Sequence, residues 1–174
     1  HLRVRGTGDA RAPYFTDEDE KRLLFELSQI SNPNHLRLTN LALATGFRRS
    51  ELLSLTWRNI DLEKNKIYVQ RKECAARRSS SSLRIVPLPN QAKDLLRSFK
   101  NKEGKIINIT EGSARNGFDR AKNKADLHNL RFHDLRHIAI SRMWSYGMNA
   151  LEISACSGHR DLKMLMRYSH YELS

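Results

Sequence analysis

The segment NIDLEKNKIYVQ, residues 59–70, marks a change in the periodicity of the chain. Apolar and polar residues alternate through it and again through LRIVPL at 83–88, which is typical of half-buried β-strands. The residues EKNK predict a turn within the first segment, and the Arg/Ser-rich residues 77–82 predict a longer connection to the second. We therefore expect a small antiparallel sheet and not a repeated βαβ unit.

Helical patterns surround this sheet on both sides. FTDEDEKRLLFELSQI at 15–30 predicts a helix capped by Thr16, and HLRLTNLALATG at 35–46 predicts one that ends at Gly46. Further helices are predicted near 50–57, 90–100, 112–125, 133–146, 149–156 and 160–168, with KIINI at 105–109 as a short strand or a linker. The fold class is therefore α+β, mostly α, with a small antiparallel β-sheet.

The charge of the chain indicates a polyanionic partner. Its 174 residues fit one domain, and Lys+Arg 31 against Asp+Glu 19 give a formal net charge of +12. Cations that neutralise phosphates release counterions, so this excess favours nucleic acid as the partner. A generally basic protein without such a partner is the alternative.

Other features of the sequence narrow the class of protein. No run approaches the roughly 18 apolar residues that a membrane span needs, and no signal peptide pattern opens the chain. Cys74 and Cys156 form no CxxC motif, which favours reduced thiols in a cytosolic protein. Residues 1–13 contain Gly and Pro without periodicity and predict a linker, and a chain that starts at His1 predicts a fragment without its N-terminal part.

The segment RFHDLRH, residues 131–137, places His133 and Arg136 on one face of a predicted helix. Together they suit a phosphodiester, because a guanidinium binds two oxygens and an imidazole exchanges a proton. A solvated basic helix face is one alternative. A metal site formed by His133 and His137 is another, although no glutamate lies between them and Arg136 would repel a cation.

The segment ATGFRRSELLSLTW, residues 44–57, suggests a second functional arginine. Gly46 ends a helix, so the chain can turn and direct Arg48 into a cleft. Glu51 follows three residues later and could orient Arg48. Taken alone, Arg48 could equally be a surface charge.

The segment GHRDLKMLMRYSH, residues 158–170, sets Tyr168 among cations near the C-terminus. A buried structural tyrosine needs no such neighbours. A tyrosine that acts as a phenolate does need them, because a phenol has a pKa of about 10 and positive charge favours its ionised form.

These segments in this order resemble the tyrosine recombinase, or phage integrase, family. The resemblance rests on GxRxxE (Gly46, Arg48, Glu51), HxxR (His133, Arg136), GH (Gly158, His159) and Tyr168 nine residues after His159, and it covers residues 14–170. It implies a helical catalytic domain with a small antiparallel sheet. The catalytic residues that it implies are Arg48, Lys72, His133, Arg136, His159 and Tyr168, with Glu51 in an orienting role.

Three features depart from the family pattern. The family lysine lies on a β-hairpin ahead of a VPL-like strand, here RIVPL at 84–88, and Lys72 is the candidate although the connection at 71–83 is long. Ser157 before Gly158 and Ile138 after His137 are the smaller departures.

The resemblance also implies an activity and its partners. It implies metal-independent, cofactor-free cleavage and rejoining of DNA at specific sites through a 3′-phosphotyrosyl intermediate, with residues 14–174 as the catalytic domain. The partners would be double-stranded DNA with recombination sites and, in the full-length protein, further copies in a tetramer. We expect a cytoplasmic, nucleoid-associated protein of prokaryotic or phage origin, with residues 1–13 linking to an absent N-terminal DNA-binding domain.

Two other activities share parts of this pattern. A type IB topoisomerase uses the same covalent tyrosine chemistry. The sequence HDLRH at 133–137 and the spacing from Gly158-His159 to Tyr168 favour the recombinase. A catalytically silent DNA-binding relative would use the same basic face. The joint presence of five motif residues argues against that relative: Arg48, His133, Arg136, His159 and Tyr168.

Overall fold

A computed structural model describes residues 15–70, 83–100, 102–159 and 161–166. The helices within these ranges are α1 (Asp17–Ser28), α2 (Asn34–Thr45), α3 (Arg49–Ser54), α4 (Asn90–Arg97), α5 (Glu111–Lys124), α6 (Asp134–Ser145), α7 (Ala150–Ser157) and α8 (Leu162–Met166). The strands are β1 (Ile60–Asp61), β2 (Lys66–Gln70) and β3 (Leu83–Pro87). The predicted class, mostly helical with a small sheet, is confirmed.

The sheet is antiparallel, with its strands in the order β1-β2-β3. Ile67 pairs with Ile60 on one side and with Val86 on the other. The predicted turn between β1 and β2 is present, and Asn65 within it has a positive φ of 53°. Ile67 and Val86 are buried, so one face of the sheet covers the core while the other faces outward.

Helix α1 begins as its sequence predicts. The Thr16 hydroxyl accepts a hydrogen bond from the Asp19 backbone at 3.1 Å, and the Asp19 carboxylate accepts one from the Thr16 backbone at 2.9 Å. This reciprocal pair satisfies two backbone donors that a helix otherwise leaves unpaired. The helix then buries Leu23 and Leu27 against the rest of the core.

Helix α2 lies at the centre of the molecule. It contacts α1, α3, α4, α5 and α6. It buries residues on most of its circumference, among them Leu38, Leu41 and Ala42. It ends at Gly46, whose φ of 66° is the left-handed conformation that glycine adopts without strain. The position of α2 therefore determines where the following turn lies.

The third helix is shorter than the sequence predicts. It ends at Ser54, because the chain then extends to pair with the segment 104–106. Trp57 N–H donates to the Gly104 carbonyl at 3.0 Å, and Ile106 N–H donates to the Leu55 carbonyl at 3.1 Å. The segment 105–109 accordingly contributes a single bridge, Lys105 to Thr56, and no strand.

Helix α7 connects the helical part of the molecule to the sheet. It contacts α6, α8 and β3. Asn149 caps its N-terminus in a reciprocal pair with Glu152, and Gly158 ends it with a φ of 74°. Within the described part of the chain, no helix has the length and apolar character required to cross a membrane.

The close packing of α2 on α5 predicts opposite effects for two glycines of α5. A Cβ at Gly117 would lie 2.2 Å from Nδ1 of the buried His35, whereas a Cβ at Gly112 would meet nothing within 4 Å. We expect Gly117→Ala to lower the free energy of unfolding by about 2 kcal/mol through overpacking. Gly112→Ala should leave it unchanged or slightly raised, because alanine favours a helix more than glycine does. Urea denaturation followed by circular dichroism measures both, and equal effects of the two substitutions would contradict the described packing.

Candidate active site

Arg48 lies at the N-terminus of α3, directly after the turn that Gly46 permits. Its backbone N–H donates to one carboxylate oxygen of Glu51 at 2.9 Å, and its guanidinium donates to the other at 3.4 Å. The Arg48 side chain remains 38% exposed, whereas that of Glu51 is 5% exposed. Glu51 therefore orients the Arg48 side chain from its buried side. The exposed part of the guanidinium keeps N–H donors available to a ligand.

Arg136, in α6, contacts the same turn at Gly46. It is only 3% exposed, and its Nη1 donates to the Gly46 carbonyl at 2.7 Å. That carbonyl lies at the C-terminal end of α2, where the helix dipole is negative and favours a cation. The structure thus brings Arg48 and Arg136 together on the two sides of one turn.

His159 follows the left-handed Gly158 at the end of α7. Nη2 of Arg136 lies 3.2 Å from His159 Nδ1 and 3.4 Å from its Nε2. The Ser157 hydroxyl is 2.8 Å from Nδ1, and the Ser154 hydroxyl donates to the His159 carbonyl at 2.6 Å. Burial lowers the pKa of His159 to about 4, and the charges of Arg136, Arg48, His137 and His133 act in the same direction. The imidazole is therefore neutral at pH 7.

His133 stands at the start of α6 with much of its surface exposed. Desolvation by its surroundings lowers its pKa, the charges of Arg136 and Arg48 lower it further, and Asp134 opposes them. Its ring meets that of His137 edge to face, with 5.0 Å between the centroids. Among the described residues, no group of three or more His, Cys, Asp or Glu side chains could complete the alternative metal site at this pair.

A groove of about 640 Å³ opens beside Arg48, His133 and Arg136. Its cationic lining side chains are Arg48, Arg49, Arg115, Lys122, Arg131 and Arg136, and its acidic ones are Glu111 and Asp119. Arg49 is partly neutralised, because its Nη2 lies 3.0 Å from a carboxylate oxygen of Glu111. The groove still has a large cationic excess and suits a polyanion.

Arg84 is a further residue of this region that the sequence analysis did not single out. It is 8% exposed, and its guanidinium donates to both carboxylate oxygens of Glu51, at 3.2 and 3.5 Å. It also occupies the space beside Gly158, where a Cβ would lie 2.1 Å from Arg84 Nη1. Arg84 thus joins the sheet to α3 and to the loop that carries His159.

The sequence contained a signal for Arg84. Alternate residues of a strand face the same side, so Arg84 shares its side with Val86. Both are buried, while Leu83 and Ile85 are exposed. A charged residue at the inward position of a strand requires a partner, and here that partner is Glu51.

The two remaining residues of the predicted set, Lys72 and Tyr168, lie outside the described residues. Lys72 comes two positions after the end of β2, and Tyr168 comes two positions after the end of α8. The structure therefore brings together Arg48, Glu51, His133, Arg136 and His159, while the positions of Lys72 and Tyr168 stay predictions.

Comparison with known proteins gives one consistent result. The sequence model of the phage integrase family matches residues 14–173. The shufflon-specific DNA recombinase of Escherichia coli is 34% identical over 89% of this chain and 39% of its own length. The integrase of Escherichia phage 186 is 31% identical over 98% of this chain and 48% of its own length. The chain thus spans half or less of these two relatives.

A solved structure has the same fold. The catalytic domain of bacteriophage HP1 integrase superimposes with a TM-score of 0.69 at 26% sequence identity, over 90% of this chain and 86% of that domain. The small sheet and the helices described above are therefore shared with a domain of similar extent.

The lowered pKa of His159 predicts a pH-dependent stability. Between the ordinary value of 6.5 and about 4, the unfolded chain binds a proton that the folded chain does not. Stability should therefore fall as the pH decreases through this interval, because the proton favours the unfolded state. His159→Asn should reduce the dependence when the free energy of unfolding is measured at several pH values, and the lowered pKa of His133 should account for part of what remains.

Nuclear magnetic resonance offers a direct control for this prediction. The His159 ring resonances, assigned by their absence in His159→Asn, should not titrate until the pH approaches 4. A midpoint near 6.5 would show that the ring is neither desolvated nor influenced by the arginines.

Proposed function

The chain belongs to the phage integrase family, and on this premise we propose that it cleaves and rejoins DNA as the catalytic domain of a site-specific recombinase. In the proposed reaction, the Tyr168 oxygen attacks a DNA phosphorus, the bond to the 5′-oxygen breaks, and a 3′-phosphotyrosyl ester and a free 5′-hydroxyl form. The ester conserves the energy of the broken bond. Rejoining is the reverse reaction with a new 5′-hydroxyl, so it needs no energy-supplying cofactor. We also propose that neither step requires a metal.

The observation that carries this proposal is the convergence of Arg48 and Arg136 on the turn after Gly46, beside two uncharged histidines. Two guanidiniums there could bind the two non-bridging oxygens of one phosphate. They would stabilise the charge of the pentacoordinate transition state without reorganising, since Glu51 and the Gly46 carbonyl already orient them. Removal of one such preorganised donor typically costs about 3–4 kcal/mol of barrier.

The two histidines would have separate tasks. His133 is exposed, and its lowered pKa keeps it uncharged, so it can accept the proton of the Tyr168 phenol. His159 is less exposed than His133 and would donate a hydrogen bond to a phosphate oxygen. We propose Lys72 as the general acid that protonates the departing 5′-oxygen.

Double-stranded DNA with recombination sites is the proposed substrate. The net charge of +12 and the cationic groove support a polyanion. A relative with 34% identity is named a DNA recombinase, which supports DNA in particular. We further propose that residues 1–13 link this domain to an N-terminal DNA-binding domain, and that the full-length protein acts as a tetramer at the nucleoid.

A covalent adduct provides the central test. The chain is incubated with a suicide duplex that carries its recombination site, denatured, and analysed by gel electrophoresis for protein–DNA adducts. We expect an adduct with the wild type and none with Tyr168→Phe, because only the phenol oxygen can form the ester. Lys21→Ala serves as the control, since Lys21 pairs with Glu18 on α1 and is not among the residues that line the cationic groove.

Each other outcome of this experiment supports a different conclusion. An adduct that persists in Tyr168→Phe contradicts the assignment of the nucleophile. An adduct that EDTA abolishes and magnesium restores contradicts the metal-independent mechanism. DNA binding without any adduct indicates a catalytically silent relative, and adducts at every sequence indicate activity of the topoisomerase type.

The role of Lys72 can be separated from DNA binding by the choice of leaving group. When sulfur replaces the bridging 5′-oxygen, the leaving thiolate needs little protonation, because the pKa of a thiol is about 8.5. Lys72→Ala should cleave ordinary DNA about 10²–10⁴-fold more slowly than the wild type and the sulfur substrate at nearly the wild-type rate. Single-turnover cleavage measures both rates.

Arg48→Ala is the matched control in this comparison. It should be slow on both substrates, because phosphorane stabilisation is needed whichever group leaves. If Lys72→Ala is equally slow on both, the lysine binds DNA and is not the acid.

A further inference from the structure

Ser157, the last residue of α7, has no role in the mechanism described so far. Its side chain is completely buried, at 0% exposure, and its hydroxyl oxygen lies 2.8 Å from Nδ1 of His159. The backbone of His159 is held in place, because Gly158 adopts a left-handed conformation and the Ser154 hydroxyl donates to the His159 carbonyl. The ring is held in turn by its contacts with Ser157 and Arg136.

We propose that Ser157 is a positioning residue that donates its hydroxyl hydrogen to Nδ1 of His159 and so keeps the ring proton on Nε2. The tautomer itself follows from the hydrogen bonds of the free protein. Its consequence for DNA cleavage rests on the proposed function.

The first argument concerns the donors around Nδ1. Arg136 carries donors only, and its Nη2 lies 3.2 Å from Nδ1. The same Nη2 is 3.4 Å from Nε2, so Arg136 approaches both ring nitrogens almost equally and does not by itself select a tautomer. The Ser157 hydroxyl, at 2.8 Å, contacts Nδ1 more closely and can occupy its single lone pair.

The second argument concerns the Ser157 hydroxyl hydrogen. Among the described residues, Nδ1 of His159 is the one hydrogen-bond partner of this hydroxyl. If Nδ1 carried the proton, the serine oxygen would accept it and its own hydrogen would be left buried without an acceptor, which is unfavourable. Within the described part of the chain, the hydrogen of Ser157 is satisfied only when Nδ1 is the acceptor.

The opposite tautomer gains no contact that would compensate. Arg136 Nη2 is at a similar distance from the two ring nitrogens, 3.2 and 3.4 Å, whereas the Ser157 hydroxyl contacts Nδ1. Nε2 is thus the less engaged of the two ring nitrogens. A proton there would be available to a phosphate bound beside Arg136.

This tautomer decides whether His159 attracts or repels a phosphate. An Nε2–H group donates to a non-bridging oxygen, whereas an unprotonated Nε2 would present a lone pair to it. Since burial and nearby cations keep the ring neutral, protonation of both nitrogens does not replace this selection at pH 7. Ser157 therefore acts on the reaction through His159 without touching the substrate.

Nitrogen-15 chemical shifts of the His159 ring test the tautomer directly, because protonated and unprotonated ring nitrogens have well separated shifts. In the wild-type chain at pH 7 we expect Nε2 protonated and Nδ1 unprotonated. In Ser157→Ala both shifts should move toward values averaged between the tautomers. Ser157→Cys, which keeps a weak donor, should lie between the two.

Ser141→Ala is the matched control. Ser141 is also a buried serine, at 1% exposure, and its hydroxyl donates to the His137 carbonyl at 2.9 Å. The substitution removes a comparable buried hydrogen bond without altering the surroundings of Nδ1. The His159 shifts should therefore stay at their wild-type values.

Single-turnover cleavage with saturating DNA gives the functional readout. Ser157→Ala should lower the rate about fivefold to tenfold, the effect of losing one hydrogen bond, with DNA affinity unchanged. A protonated Nδ1 in the wild type, or shifts that do not respond to Ser157→Ala, would overturn the tautomer assignment. Altered shifts with an unchanged rate would overturn the positioning role. Expected shifts with no cleavage by the wild type would support the tautomer and contradict the proposed function.

Discussion

The carboxylate of Glu51 is the interaction on which the candidate site depends. It is buried between two guanidiniums, that of Arg48 from its own helix and that of Arg84 from the sheet, and it also accepts the Arg48 backbone N–H. A buried carboxylate is stable only when it is paired and hydrogen-bonded in this way, and removal of one partner from such a pair typically costs about 3–5 kcal/mol. The same contact therefore joins α3, β3 and, through Gly158, the loop of His159.

The site is assembled from the ends of helices. Arg48 directly precedes α3, His133 directly precedes α6, and His159 follows α7. Arg136, in the first turn of α6, donates to the Gly46 carbonyl at the end of α2. Helix ends leave backbone donors and acceptors unpaired, so they can orient polar side chains that a helix interior could not. The rigid central helix α2 fixes the turn around which these ends meet.

The cations around His133 and His159 disfavour protonation of these rings and favour the binding of an anion. Burial lowers the pKa of His133 and His159, and the nearby cations lower it further, so both rings are difficult to protonate in the folded protein. Neutral imidazoles can accept a proton or donate one hydrogen bond, according to their tautomer. The same positive field would favour a phosphate and a phenolate, so the arrangement that disfavours histidinium is the one that suits phosphoryl transfer.

The sequence by itself determined the features that depend on near neighbours in the chain. These are the capping box at Thr16, the end of α2 at Gly46, the turn before β2 and the order of the motifs, because caps, turns and motif spacing are properties of a few consecutive residues. It also carried unused signals, an inward-facing Arg84 in a strand and Ser157 next to Gly158.

Only the tertiary structure decided which of these residues meet. Arg84 pairs with Glu51 across 33 positions, and Arg136 reaches Gly46 across 90. Such pairs depend on how α2, α6 and the sheet pack together, which no local pattern specifies. The shortened α3 has the same cause, since pairing with the segment 104–106 overrides its helical preference. Local sequence therefore supplied the chemical groups, and long-range packing supplied their partners and their ionisation.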